Sequence, residues 1–202
     1  MNLIKKTSLC IALLCGLTNV SKSQVGTEDV FKVTFLNPGV SYEKSLGGIH
    51  TIYGQAFANF ASSFTEDYYS DEYNFDFFVE PALSLQYRLY YNLNRREDRG
   101  KNTARNSGNY FTFINENRFT KAPLGFNDVK EAKIRPVIAG ALGWGLQRNY
   151  DSRFSLDLYL GAGLKYAKTT TYDNYGQLYS ANTTSFAFIG QINLGIWLGA
   201  RD

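Results

Sequence analysis

From Arg153 to Tyr166 the chain reads RFSLDLYLGAGLKY, and its residues sort by parity. Phe154, Leu156, Leu158, Leu160, Ala162, Leu164 and Tyr166 share one face of a strand. Arg153, Ser155, Asp157, Tyr159, Gly161, Gly163 and Lys165 share the other. Successive side chains of a strand point to opposite faces, whereas a helix would scatter both sets around its axis. The run exceeds the roughly five or six residues of a typical soluble strand. It meets the roughly 9–11 residues that a tilted strand needs to cross a bilayer. One face is fit for hydrocarbon and the other for a polar, charged interior.

Other segments repeat the pattern. Within Phe75–Tyr91, Phe75, Phe77, Val79, Pro81, Leu83, Leu85, Tyr87, Leu89 and Tyr91 form the apolar face, and Asp76, Glu80, Gln86 and Arg88 lie opposite. Pro81 cannot donate to a ladder, so a local irregularity is expected there. Ile134–Gln147 sends Ile138, Leu142 and Trp144 outward and Arg135 and Gln147 inward. Ser185–Gly199 sends Phe186, Phe188, Ile192 and Leu194 outward, with Gln191 and Asn193 inside. Ile49–Ala61 is strand-like with an ambiguous phase, and Tyr110–Arg118 carries a weak strand signal. Phe31–Leu46 slips phase between Phe35 and Leu36, where Asn37-Pro38-Gly39 marks a bulge, a bend or a tight turn.

No apolar run reaches the roughly 18 residues of a spanning helix. A membrane protein of this sequence must therefore be a closed barrel, the other structure that satisfies every backbone group in lipid. Bacterial single-chain barrels have an even number of strands. The expectation is an all-β, antiparallel, up-and-down transmembrane β-barrel of about eight strands. The remaining strand is expected in Val25–Gly39 or in Phe119–Lys133.

The start of the chain points to export. Lys5 and Lys6 precede a mostly apolar stretch from Thr7 to Val20, and Ser21-Lys22-Ser23 supplies small residues for cleavage. Residues 1–23 read as a signal peptide and 24–202 as one barrel domain. A lipoprotein reading at Cys15 competes, but Leu14 is larger than the residue usual before a lipidated cysteine. The full chain carries 21 basic and 18 acidic residues. Residues 1–23 hold Lys5, Lys6 and Lys22 and no acid, so the remainder is neutral, and the overall basic balance gives no reason to expect nucleic acid. Cys10 and Cys15, the two cysteines of the chain, both fall in this leader.

Turn lengths suggest an orientation. Gly47-Gly48 and Tyr150–Ser152 are short, whereas Ser63–Asn74 and Lys168–Thr184 are longer and polar. Outer-membrane barrels place short turns in the periplasm and long loops outside. The charged segment Asn94–Ser107 fits this badly, because it becomes a long periplasmic turn.

On its leader, GVSYEKSLGG (Gly39–Gly48), FFVEPALSLQYRLYY (Phe77–Tyr91) and SLDLYLGAGLKY (Ser155–Tyr166), the chain resembles the small outer-membrane β-barrels of Gram-negative bacteria, the OmpA-type and OmpX-type barrels among them. The resemblance covers most of residues 24–202 and is architectural. It implies a cell outer-membrane location, with membrane lipids and the barrel-insertion machinery as partners. It implies an activity much less firmly.

Candidate chemistry is sparse. His50 is the single histidine, with no serine at a motif-specific spacing. A lipid-modifying barrel enzyme, such as a lipid A acyl hydrolase or transferase, would need His50 beside a serine or acid. A lone His with no Cys is not a metal ligand set, and no cofactor is expected. Glu66, Asp67, Asp71, Glu72 and Asp76 lack the spacing of a calcium loop and read as a solvated acidic stretch. Arg95, Arg96, Arg99, Lys101 and Arg105, interrupted by Glu97 and Asp98, read as a charged turn. Tyr68, Tyr69, Tyr172 and Tyr175 would be the loop aromatics of any carbohydrate platform.

The inward charges carry more. Asp76, Glu80, Arg88, Arg135, Asp157 and Lys165, with Glu43, would share one lumen. An eight-stranded barrel is just wide enough for side chains to fill, and buried charges must be paired. These residues are expected to form a salt-bridged plug, a narrow ion path being the alternative. The function expected is non-enzymatic, structural or surface-interacting, in the envelope. A soluble lipocalin-like binder is disfavoured, because the inward faces are polar.

Overall fold

The computed structural model describes residues 25–67, 72–122, 124, 131–173 and 175–199, with side chains throughout except over 61–76. The leader, Tyr68, Tyr69, Asp71 and the side chains of Glu66, Asp67, Glu72 and Asp76 lie outside what is described. Eight strands run β1 (Val30–Leu36), β2 (Gly39–Gly47), β3 (His50–Asp67), β4 (Glu72–Tyr90), β5 (Asn109–Thr120), β6 (Arg135–Asn149), β7 (Phe154–Tyr172) and β8 (Leu178–Leu198). Each pairs antiparallel with its sequence neighbour, and β1 pairs with β8 to close the ring. Among the described residues no helix is long and apolar enough to cross a membrane.

The parity read from sequence is the parity of the wall. Leu83, Leu85, Leu142, Leu160, Leu164, Phe186 and Phe188 are exposed on the outside, while Ser84, Gln86, Arg88, Gln147, Asp157 and Asn193 are buried inside. The ambiguous third segment resolves with Thr51, Tyr53, Gln55 and Phe57 inward and Ile52 and Phe60 outward.

The remaining strand is β1. Asn37-Pro38-Gly39 is a tight turn between two strands, with Asn37 at φ 56°. Asparagine tolerates that left-handed conformation better than most residues. The turn makes Phe31, Val33 and Phe35 an outer face and Val30, Lys32 and Thr34 an inner one. The β2–β3 turn needs the left-handed region twice, at Gly47 (φ 94°) and Gly48 (φ 58°), which glycine adopts without a Cβ penalty.

Pro81 produces no irregularity. The Ala58 N–H donates to Pro38 O at 2.9 Å, so Ala58 directs its backbone groups toward β2. Its cross-strand partner Pro81 then directs its own toward β5. The β4–β5 ladder ends at Ala82–Arg118, so the missing donor falls just past the last pair.

Two segments expected to be loops are mostly strand. β3–β4 pairing continues to Asp67–Glu72, and β7–β8 pairing to Tyr172–Leu178. From Lys168 to Thr184 polar residues fall at both parities, so the alternation that betrays a strand is lost there. Tyr172 and Tyr175 stay exposed there.

The opposite end carries the β2–β3 and β6–β7 turns, the described start of the chain, and the long segment between β4 and β5. That segment is not a free turn. It folds through α1 (Leu93–Glu97) and a 3-10 turn (Ala104–Asn106), and it buries Leu93, Asn106 and Ser107. Asn106 clamps the entering chain, accepting from Glu28 N–H at 2.7 Å and donating to Glu28 O at 2.9 Å. Ser107 and Asn149 are tied at 2.9 Å, and the Arg105 guanidinium lies 3.8 Å over the Trp197 ring. The unexpected length of this connection is a lid over the barrel end. Arg153, assigned by parity to strand β7, instead sits in the preceding turn at φ 71°.

Candidate functional site

The lower lumen holds two cations and two anions from four different strands. Lys32 (β1), Glu43 (β2), Arg88 (β4) and Asp157 (β7) are each 2 % exposed or less. Arg88 Nη2 lies 2.9 Å from Asp157 Oδ2, an ionic contact in which the N–H is not aimed along the line of approach. Arg88 Nη1 is 3.9 Å from Glu43 Oε2, and Lys32 Nζ is 4.0 Å from both Glu43 and Asp157. The four charges cancel, which offsets the cost of burying them away from bulk solvent.

Neutral groups occupy the remaining bonding positions. Glu43 Oε1 accepts from Thr51 at 2.7 Å and Tyr90 at 2.8 Å, and Oε2 accepts from Gln147 Nε2 at 3.0 Å. Asp157 Oδ1 accepts from the Tyr110 hydroxyl at 2.6 Å. Gln147 Oε1 accepts from Lys32 and, at 3.1 Å, from Arg88, whose Nε donates to Gln86 at 3.0 Å. The Arg88 guanidinium is also sandwiched by rings, 3.6 Å from the Tyr53 centroid and 4.4 Å from that of Tyr110. Gly145 makes room for this stack: a Cβ there would sit 2.4 Å from Tyr110 Cζ.

Above this layer Ile114, Ala139, Ala141, Tyr159 and Ile189 form an apolar belt. A second polar layer follows. Glu80 accepts from Asn59 at 2.9 Å and from Thr120, with Arg118 3.7 Å away. Arg118 also approaches Glu116 at 3.4 Å. Arg135 lies 3.7 Å from Glu131 and donates to Ala122 O at 3.0 Å, and Lys165 donates to Leu124 O at 3.3 Å.

The inward residues chosen from sequence are therefore shared between two layers. Arg88 and Asp157 meet, with Glu43 beside them. Glu80, Arg135 and Lys165 lie in the upper layer, each with a different partner. Lys32 escaped the sequence reading because the phase of its strand is lost if Asn37-Pro38 is not taken as a turn. The alternation of Phe31, Val33 and Phe35 was the signal that places Lys32 inside. Arg118 and Thr120 sit on a strand whose periodicity is weak.

His50 lies on the outer wall. Its ring stacks on Tyr87, and its Nδ1 is 2.7 Å from the Tyr87 hydroxyl. Among the described residues the ring's hydrogen bond is to Tyr87, not to a serine or an acid. Among the described residues no three His, Cys, Asp or Glu side chains converge as a metal site. No protein-family model, curated protein or solved structure gives a significant match to this chain.

Proposed function

We propose that this chain is a small, non-enzymatic outer-membrane β-barrel that holds a plugged wall in the bilayer and presents its long hairpins to the outside. The carrying observation is the inversion of polarity through the wall. Leu142 is 71 % exposed and Phe188 74 %, while Arg88 and Glu43 are fully buried. Soluble monomers rarely expose contiguous apolar patches larger than a few hundred Å2, and a lipid solvent removes that cost. Aromatic side chains mark the lid end of the wall: the Tyr91 and Phe111 rings meet in a tilted pair at 5.0 Å, and those of Tyr150 and Phe154 at 5.8 Å. This is the girdle expected where headgroups begin.

The leader supports export, with cleavage after Ser23. The charge-compensated core supports a structural role over conduction. Polar hairpins with exposed Tyr172 and Tyr175 support a surface-interaction role at the far end.

The test is fractionation of the exported protein. Recovery with outer membranes, release only by detergent, and gel migration that shifts on boiling are the expected results. Recovery in a soluble fraction without detergent would refute the reading.

A further inference from the structure

The lid end carries a cleft of about 340 Å3 beside the aromatic girdle, lined by Tyr91, Arg95, Arg96, Arg99, Lys101 and Arg148. Among the described residues none of these five cations lies within ion-pair distance of a carboxylate. Arg148 is held by backbone and amide oxygens, donating to Gly108 O at 2.8 Å and to Asn109 Oδ1 at 2.7 Å. Arg96 is held by Asn102 O at 2.9 Å. Neutral acceptors fix these guanidinium groups in place and leave their charge uncancelled. Glu97 and Asp98, the acids of the same segment, do not line the cleft. The arrangement contrasts with the lumen, where every cation of the lower layer has an acid.

Tyr91 joins the cleft to the wall. Its hydroxyl accepts from Trp144 Nε1 at 2.9 Å, and its ring packs at a tilt against Phe111. Trp144 and Phe111 are cross-strand partners on the outer face. A molecule with a phosphate in the cleft would therefore lay any attached hydrocarbon along Phe111, Trp144 and Leu142.

We propose that this cleft binds the phosphodiester of an anionic phospholipid in the membrane leaflet at the lid end. The inference rests on the membrane reading above and adds a ligand to it. Clustered guanidinium groups suit phosphate oxygens, to which arginine presents paired N–H donors. Continuity with the girdle favours a lipid over free phosphate, because the lipid contributes contacts in both regions.

The chain supplies its own reporter. Its two tryptophans are Trp144 on the outer wall and Trp197, which is 1 % exposed inside the barrel. The folded protein is placed in nanodiscs of phosphatidylcholine with a minor share of phosphatidylglycerol. One or the other lipid is brominated near the headgroup end of its chains. Trp144 is expected to be quenched several-fold more efficiently per mole by brominated phosphatidylglycerol. The triple variant Arg95→Gln, Arg96→Gln, Arg99→Gln should bring the two lipids to within about two-fold while keeping its boil-dependent gel shift, since each basic residue near an anionic surface contributes to attraction. Equal quenching by both lipids in the wild type overturns the proposal, and so does an unchanged preference in the variant. Loss of the preference on adding millimolar inorganic phosphate at fixed ionic strength overturns the assignment to lipid. Absence of quenching by either lipid overturns the membrane reading itself, a result distinct from lost selectivity.

Discussion

Arg88 and Asp157 stand three strands apart in the ring and meet inside it at 2.9 Å, both essentially without solvent contact. Each also touches the second ion of opposite sign or its bridging groups, so the pair is the centre of a four-charge cluster. Removing one partner strands the other. Arg88→Met should cost about 3–5 kcal/mol of unfolding free energy, because it leaves an uncompensated buried carboxylate. Asp157→Asn added to it should recover part of that loss, read as a coupling energy in a double-mutant cycle. Strictly additive costs from urea titrations in a fixed detergent would show that the two residues do not act together.

Leu160 is 59 % exposed on the outer wall, midway along β7. In a bilayer Leu160→Arg should cost about 2–4 kcal/mol if the site is near the midplane. On a soluble barrel the same change would be close to neutral, since an exposed arginine needs no desolvation. Folding of the variant into liposomes, followed by the gel shift, separates the two cases.

The lumen is closed by side chains at the charge cluster and again by the lid. The wild-type protein should give no steady conductance in planar bilayers, as expected for a barrel this narrow. Stable ion-selective channels whose selectivity changes with Asp157→Asn would show that ions pass the cluster.

At the lid end, exposed Asp29 accepts from Lys44 Nζ at 2.5 Å, Ser45 N–H at 2.9 Å and Tyr42 at 2.9 Å. These donors, Lys44 first, hold its carboxyl down at about 2 from the usual 3.8. A carboxylate whose folded value is depressed stabilises the fold above its unfolded value and loses that contribution as pH falls toward the folded one. Stability should therefore decline between about pH 4 and pH 2, and Asp29→Asn should flatten part of that decline. An identical acid profile in the variant, measured by thermal melts, would contradict the assignment.

The sequence by itself determined which residues face outward and which face the lumen wherever alternation is strict, as in β4, β6, β7 and the lower half of β8. Side-chain parity is a local property of a strand with period two, so Leu160 and Asp157 declare their sides with no knowledge of a neighbour. It also marked Asn37-Pro38-Gly39 and Gly47-Gly48 as breaks, because proline and glycine act on their own backbone. In the extended β7–β8 hairpin polar residues fall at both parities and the local signal vanishes.

Only the tertiary structure decided who meets whom. Parity put Glu80, Arg88, Arg135, Asp157 and Lys165 inside, but ring closure and strand stagger set their depths. They fall above and below the Ile114–Tyr159 belt, with Glu43 joining Arg88 and Asp157 in the lower layer and Lys32 added from β1. The same closure turned the charged segment after β4 into a lid, because Asn106 finds Glu28 only when β1 comes round beside β8. Contacts between residues this far apart in the chain depend on register summed over every strand between them, and no local pattern encodes that sum.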